Sequence, residues 1–153
     1  MPLIIRDLFV DQLTLEATPD YQAGNELRQV QVGLKIEHLL SQEDPTAHQL
    51  VMTLKMEPDD AETPLPYSLQ ITGRGVFRID ADALSDDERN RLLILNGGSI
   101  LLGMLRSQII TLTGVGRNGR FVIPAINLIE ALEHLERNEG TAASATDTTD
   151  AGA

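Results

Sequence analysis

Apolar and polar residues alternate along the first half of the chain with a period of two, which predicts half-buried β-strands. Between Leu3 and Glu16 the apolar positions are Leu3, Ile5, Leu8, Val10, Leu13 and Leu15. Their parity changes twice, so this segment is expected to be a bulged strand or two short ones. A second segment is clean: Val30, Val32, Leu34 and Ile36 take one face, Gln29, Gln31, Lys35 and Glu37 the other. In a third, Leu50, Met52, Leu54 and Met56 alternate with Val51, Thr53, Lys55 and Glu57. A fourth sets Tyr67, Leu69, Ile71, Gly73, Gly75, Phe77 and Ile79 against Ser68, Gln70, Thr72, Arg74 and Arg78. Glu43-Asp44-Pro45 and Pro58-Asp59-Asp60 mark connections. Consecutive strands with no helical segment between them imply an antiparallel sheet.

The second half changes period. Ser85-Asp86-Asp87-Glu88 has the form of a capping box, in which the serine oxygen accepts a helix amide and the glutamate reaches back. After Asn96-Gly97-Gly98, the residues Leu101, Leu105, Ile109 and Leu112 recur at helical spacing, and Gly114 and Gly116 end that helix in a turn. An extended piece, Phe121-Val122-Ile123-Pro124, leads to Asn127, with Glu130 three positions on as a second capping pair. Leu128, Leu132 and Leu135 then form one apolar stripe. From Asn138 to Ala153 no large apolar side chain remains, and such a segment cannot offset its own ordering entropy. The expected organisation is one folded domain over 1–137 and a disordered acidic and polar tail over 138–153.

Composition narrows the chemistry. The chain has 153 residues and a formal net charge of -11, so its surface repels phosphate backbones and nucleic-acid binding is disfavoured. Aromatics are only 3% of residues, so the core must be filled by aliphatic side chains and methionine. Cysteine is absent, which removes disulfides, thiolate metal sites and thiol nucleophiles. The opening Met1-Pro2-Leu3-Ile4-Ile5-Arg6-Asp7 lacks the form of a signal peptide, and Ile100 to Leu112 is too short and too polar to span a bilayer. A cytoplasmic protein that inserts in no membrane is expected.

Motifs for catalysis do not hold up. Gly114-Val115-Gly116-Arg117-Asn118-Gly119 spells a dinucleotide fingerprint, but a helix precedes it and an extended segment follows, the reverse of what phosphate binding needs. Gly97-Gly98-Ser99 lacks the lysine of a P-loop. His38, His48 and His134 lack the spacing of paired ligands on one element, and the carboxylates cluster in turns and tail rather than among apolar neighbours. No enzyme activity, metal or cofactor is expected.

The order of these pieces resembles the SecB family of protein-export chaperones. Leu15-Glu16-Ala17-Thr18-Pro19 is similar to the Phe-Glu-Ala-Pro that ends the first SecB strand. Gly75 to Ile79 is similar to the Gly-x-Phe-x-Ile that closes the SecB sheet. The run from Asn96 to Leu128 resembles the SecB long helix, glycine turn and Pro-x-x-Asn entry to the last helix. The family's Phe-Pro-Tyr-Ala-Arg is replaced by Leu102-Gly103-Met104-Leu105-Arg106, which keeps only the arginine.

The resemblance implies an α+β fold: a four-stranded antiparallel sheet with two helices packed on one face, oligomerising as a dimer of dimers. It also implies ATP-independent holding of unfolded preproteins for export, with unfolded polypeptides and the SecA motor as partners of a homotetramer. Glu16 matches one acidic residue used for motor docking, whereas Gln12 and Gln70 stand where others would be acidic. For the client groove, the alternation offers Met52, Leu54 and Met56 on one strand face, joined by Ile123 and Leu128. Plain core is the competing reading of the same row. Two other functions fit the resemblance: a chaperone dedicated to a narrow client, such as an antitoxin in a toxin–antitoxin module, and a non-chaperone oligomeric adaptor.

Overall fold

A computed structural model describes residues 3–22, 32–57, 65–80 and 84–133. The tail expected over 138–153, His134, Leu135 and the strand residues expected at 29–31 lie outside them. Four strands form one antiparallel sheet: β1 (Leu3–Ala17), β2 (Gly33–Leu40), β3 (Ala47–Met56) and β4 (Tyr67–Ile79), in the order β1-β4-β3-β2. The expected fold class is the observed one.

Register sorts the faces. Phe77, Gly75, Gly73, Ile71 and Leu69 of β4 lie opposite His48, Leu50, Met52, Leu54 and Met56 of β3. Together with Leu34 and Ile36 of β2 these side chains form the floor of the core. The opposite face carries a mixed set that includes Gln49, Thr53, Lys55, Gln70, Thr72 and Arg74. There the Thr53 and Thr72 hydroxyls lie 3.0 Å apart, and Arg74 donates to Asp11 at 3.1 Å and to Gln49 at 2.7 Å.

The long first strand stays whole because two residues are inserted without partners. The pairing with β4 skips Arg6 and then Asp11. Each insertion reverses the parity, so Leu3, Ile5, Leu8, Val10, Leu13 and Leu15 all stand opposite the core-facing row of β4, from Ile79 to Leu69. The parity breaks of the sequence therefore mark two bulges in one strand.

One helical run covers the sheet: α1 (Asp86–Leu92), a π-helical turn (Leu93–Gly97) and α2 (Gly98–Gly114). Ser85 caps it as expected, accepting from the Glu88 amide at 3.2 Å while its own amide donates to the Glu88 carboxylate at 2.9 Å. The Gly97-Gly98 pair does not break the run. A Cβ at Gly97 would stand 3.3 Å from both Leu50 and Phe77, so glycine there lets the helix approach the sheet. Gly73 serves the same contact from below, since a Cβ on it would lie 2.5 Å from Leu105.

The continuous run Asp86–Gly114 is 29 residues long and reaches a mean hydropathy of 1.4 over 18 of them, which by length and composition suffices to cross a bilayer. Its apolar side chains Leu101, Leu105 and Ile109 are fully buried, and Leu101 and Leu105 lie over Gly73 of the sheet.

Beyond α2 the chain turns and runs back along the helix. Arg106 donates to the Pro124 carbonyl at 2.6 Å, and the buried Thr113 hydroxyl accepts from the Phe121 amide at 2.9 Å. Residues 128–133 are helical, and the Asn127 side chain accepts from the amides of Ile129 and Glu130, which supplies the forward half of the expected cap. The turn itself is pinned to the sheet by Asn118. Its side-chain amide donates to the carbonyls of Thr18 at 3.0 Å and Pro66 at 2.6 Å, and its backbone amide to the Tyr67 hydroxyl at 3.0 Å. Asn118→Ala leaves two part-buried carbonyls without this partner, so we expect it to cost about 1–3 kcal/mol, read as a lower urea midpoint at unchanged slope.

Candidate functional site

The row Met52, Leu54 and Met56 does share one strand face, but that face is the inner one. Exposure is 0%, 0% and 1%. The reason is topological. β3 is flanked by β2 and β4, so Met52 sits between Ile36 and Gly73 and Leu54 between Leu34 and Ile71, with α2 overhead. Ile123 and Leu128 are buried too, at 2% and 8%. Among the described residues they belong to the core of the protomer. The chain trace that buries Ile123 and Leu128 instead turns their neighbours Val122 and Ile129 outward, at 52% and 53% exposure.

Apolar surface is exposed along β1. Leu3, Leu8 and Leu15 are half-buried against the core, whereas Ile5 is 47% exposed and Val10 and Leu13 each 37%. All three belong to the side of the sheet on which the helices lie. The helical layer sits mainly over β4 and β3, through Gly73, Leu50 and Met52, and covers this margin only in part. β1 is also one of the two edge strands, β2 being the other, with β4 as its neighbour. Among the described residues it thus offers an apolar shelf beside an unpaired backbone edge, on a strand of 15 residues. The sequence shows which side chains share this shelf but not that the strand carrying them lies at the edge.

Glu16 occupies the opposite face, paired with Ser68. It lines a shallow polar hollow of about 190 Å³ together with Gln12, Thr14, Glu57, Ser68 and Gln70. Gln12 and Gln70, the positions where the resemblance implies carboxylates, do gather around Glu16, and Glu57 adds a second acid.

A feature missed by sequence reasoning lies at the far end of the sheet. His38 and His48, ten residues apart, meet across the β2–β3 hairpin with Nε2 and Nδ1 2.9 Å from each other. Burial pushes both imidazoles below the usual histidine range, and at His48 the proximity of His38 and Arg89 adds to this while Asp44 opposes it. The Thr46 hydroxyl and amide hold the Asp44 carboxyl below its ordinary value. Among the described residues no group of three or more His, Cys, Asp or Glu could hold a metal ion.

No protein-family model matches the chain, and no curated protein matches it in sequence. Its fold is shared with solved structures. One is a SecB-like chaperone of Mycobacterium tuberculosis in complex with a ChAD peptide from the HigA1 antitoxin: 14% identity, TM-score 0.55, covering 82% of this chain and 91% of that one. A second solved structure, a protein of unknown function from Streptococcus agalactiae, aligns more loosely, at 14% identity and a TM-score of 0.44 over 81% of this chain and 97% of that one.

Proposed function

We propose that this chain is a molecular chaperone of the SecB type that holds extended, apolar polypeptide segments without ATP. The observation that carries this reading is the β1 shelf. An extended client recognised there would find main-chain partners along the edge and apolar contact at Ile5, Val10 and Leu13, the two components of strand addition to a sheet. A long edge strand with exposed apolar side chains is an aggregation hazard unless a second copy or a client covers it. The net charge of -11 keeps such a surface in solution.

In this reading the protein works in the cytoplasm as a homotetramer, a dimer of dimers, and hands unfolded preproteins to translocation. The hollow around Glu16 is the surface for SecA. A second reading is favoured by one observation: the mycobacterial neighbour of the same fold holds an antitoxin peptide. By that analogy this chain would protect one dedicated client, using the same shelf.

The test is suppression of aggregation of a chemically unfolded reference protein, with no nucleotide present, alongside light scattering for assembly mass. Near-stoichiometric suppression that persists in chelator is expected. Unchanged aggregation of several unrelated clients would defeat general holding, and strict dependence on ATP or a metal would defeat both readings. A sharp monomer mass held from micromolar concentration upward would remove the tetramer.

A further inference from the structure

The end of the β2–β3 hairpin carries a cluster that client holding does not use. Both histidines face the helical side: His38 lies opposite Leu50, and His48 opposite the fully buried Phe77. Their rings stack with centroids 5.2 Å apart and planes 21° from parallel. With Ser41 and Pro45 of the hairpin and Asp86, Arg89 and Asn90 of α1 they line one cavity of about 430 Å³. The hairpin end and the first turns of α1 therefore meet around these two rings.

Proton counting defines what the pair can do. At 2.9 Å, one of the two facing nitrogens must carry a hydrogen and the other must be bare. The neutral pair satisfies this, and so does the pair with one added proton. A second proton sets N–H against N–H, which cannot bond, and places two cations beside Arg89. The compensating charges are few. Asp86 of α1 is already paired with Arg89, and Asp44 of the hairpin is held by Thr46 and feels Arg78 of β4 and Arg6 of β1.

We propose that the His38–His48 pair is an acid-sensitive latch, which lets the hairpin end and α1 lie together around one cavity and drives them apart when both imidazoles are protonated beside Arg89. α1 is the element free to respond, because it buries none of its own side chains, continues directly into the π-helical turn, and faces the rings across the cavity with Arg89 in its lining.

The sign follows from the direction of the shifts. The folded histidines titrate below their unfolded value of about 6.5, so the unfolded or opened state binds more protons in that range. The stabilising contribution is fully present above that value and is lost as pH falls through the lower, folded values.

Hydrogen exchange on the full chain at about pH 7.5 and about pH 5.5, corrected for intrinsic rates, reads the latch. The α1 amides should lose protection by on the order of tenfold at the lower pH while β4 keeps its own, and the double variant H38Q/H48Q should show no such change. Equal α1 protection at the two pH values, or equal acceleration in the double variant, would overturn the proposal. Should the double variant fail to fold, ring-proton titration of the unmodified protein decides. Two midpoints displaced below the ordinary value and split from each other support the latch, and two independent ordinary titrations refute it.

Discussion

Met52→Asp should unfold the chain. The thioether is wholly buried, with Ile36 and Gly73 beside it in the sheet and the start of α2 above. No cation is among those neighbours, so a carboxylate there would be either a buried charge or a neutral acid with unmet hydrogen bonds. The expected loss exceeds about 4–5 kcal/mol, a large share of the roughly 5–15 kcal/mol that holds a domain of this size together. Met52→Leu conserves volume and should cost less than about 1.5 kcal/mol, whereas Leu54→Ala should cost about 2–5 kcal/mol through the cavity it leaves. Far-ultraviolet circular dichroism and gel filtration read all three. A folded, correctly assembled Met52→Asp protein that had lost only client binding would restore the row to the binding surface and refute its placement in the core.

The strands are legible in the sequence because each of them alternates, and alternation survives any arrangement of neighbours. Even the two bulges are visible, since Arg6 and Asp11 shift the parity of the apolar positions around them. Which strand lies outside is not. The apolar row of β3 and that of β1 look alike as text, yet β3 is central and β1 is an edge, and only the order β1-β4-β3-β2 decides which row reaches solvent. The same ignorance of neighbours hides the histidine pair. His38 and His48 look isolated until the hairpin register sets Leu40 opposite His48 and His38 opposite Leu50, which puts the two rings on one face and on adjacent strands. Asn96-Gly97-Gly98 shows a third limit of local signals. Local propensity assigns glycines to a turn, and here packing of the helix on Leu50 and Phe77 overrides it.

If the β1 shelf holds clients, Val10→Asp with Leu13→Asp should abolish holding while leaving the fold intact. Both side chains are more than a third exposed on an edge strand, so each new carboxylate can stay hydrated, and the conformational cost is limited to the lower strand propensity of aspartate, within about 1 kcal/mol. The melting temperature should therefore fall by only a few degrees. For an apolar segment docking on the shelf, the charges must be buried or the contact abandoned, which costs on the order of 1–3 kcal/mol of affinity, or about 5- to 150-fold. Thr14→Asp with Glu16 left in place provides a control for placement: it adds one such carboxylate to the same strand, but on the face of the polar hollow, and should leave holding unchanged. Light scattering separates the two occupants of the edge. Lost holding at unchanged mass assigns the shelf to the client, and lost holding with a smaller assembly assigns it to the subunit interface. Full holding by the double variant at unchanged mass would sink the shelf altogether, because among the described residues no other strand of this sheet offers both a free edge and a row of exposed apolar side chains on its helical side.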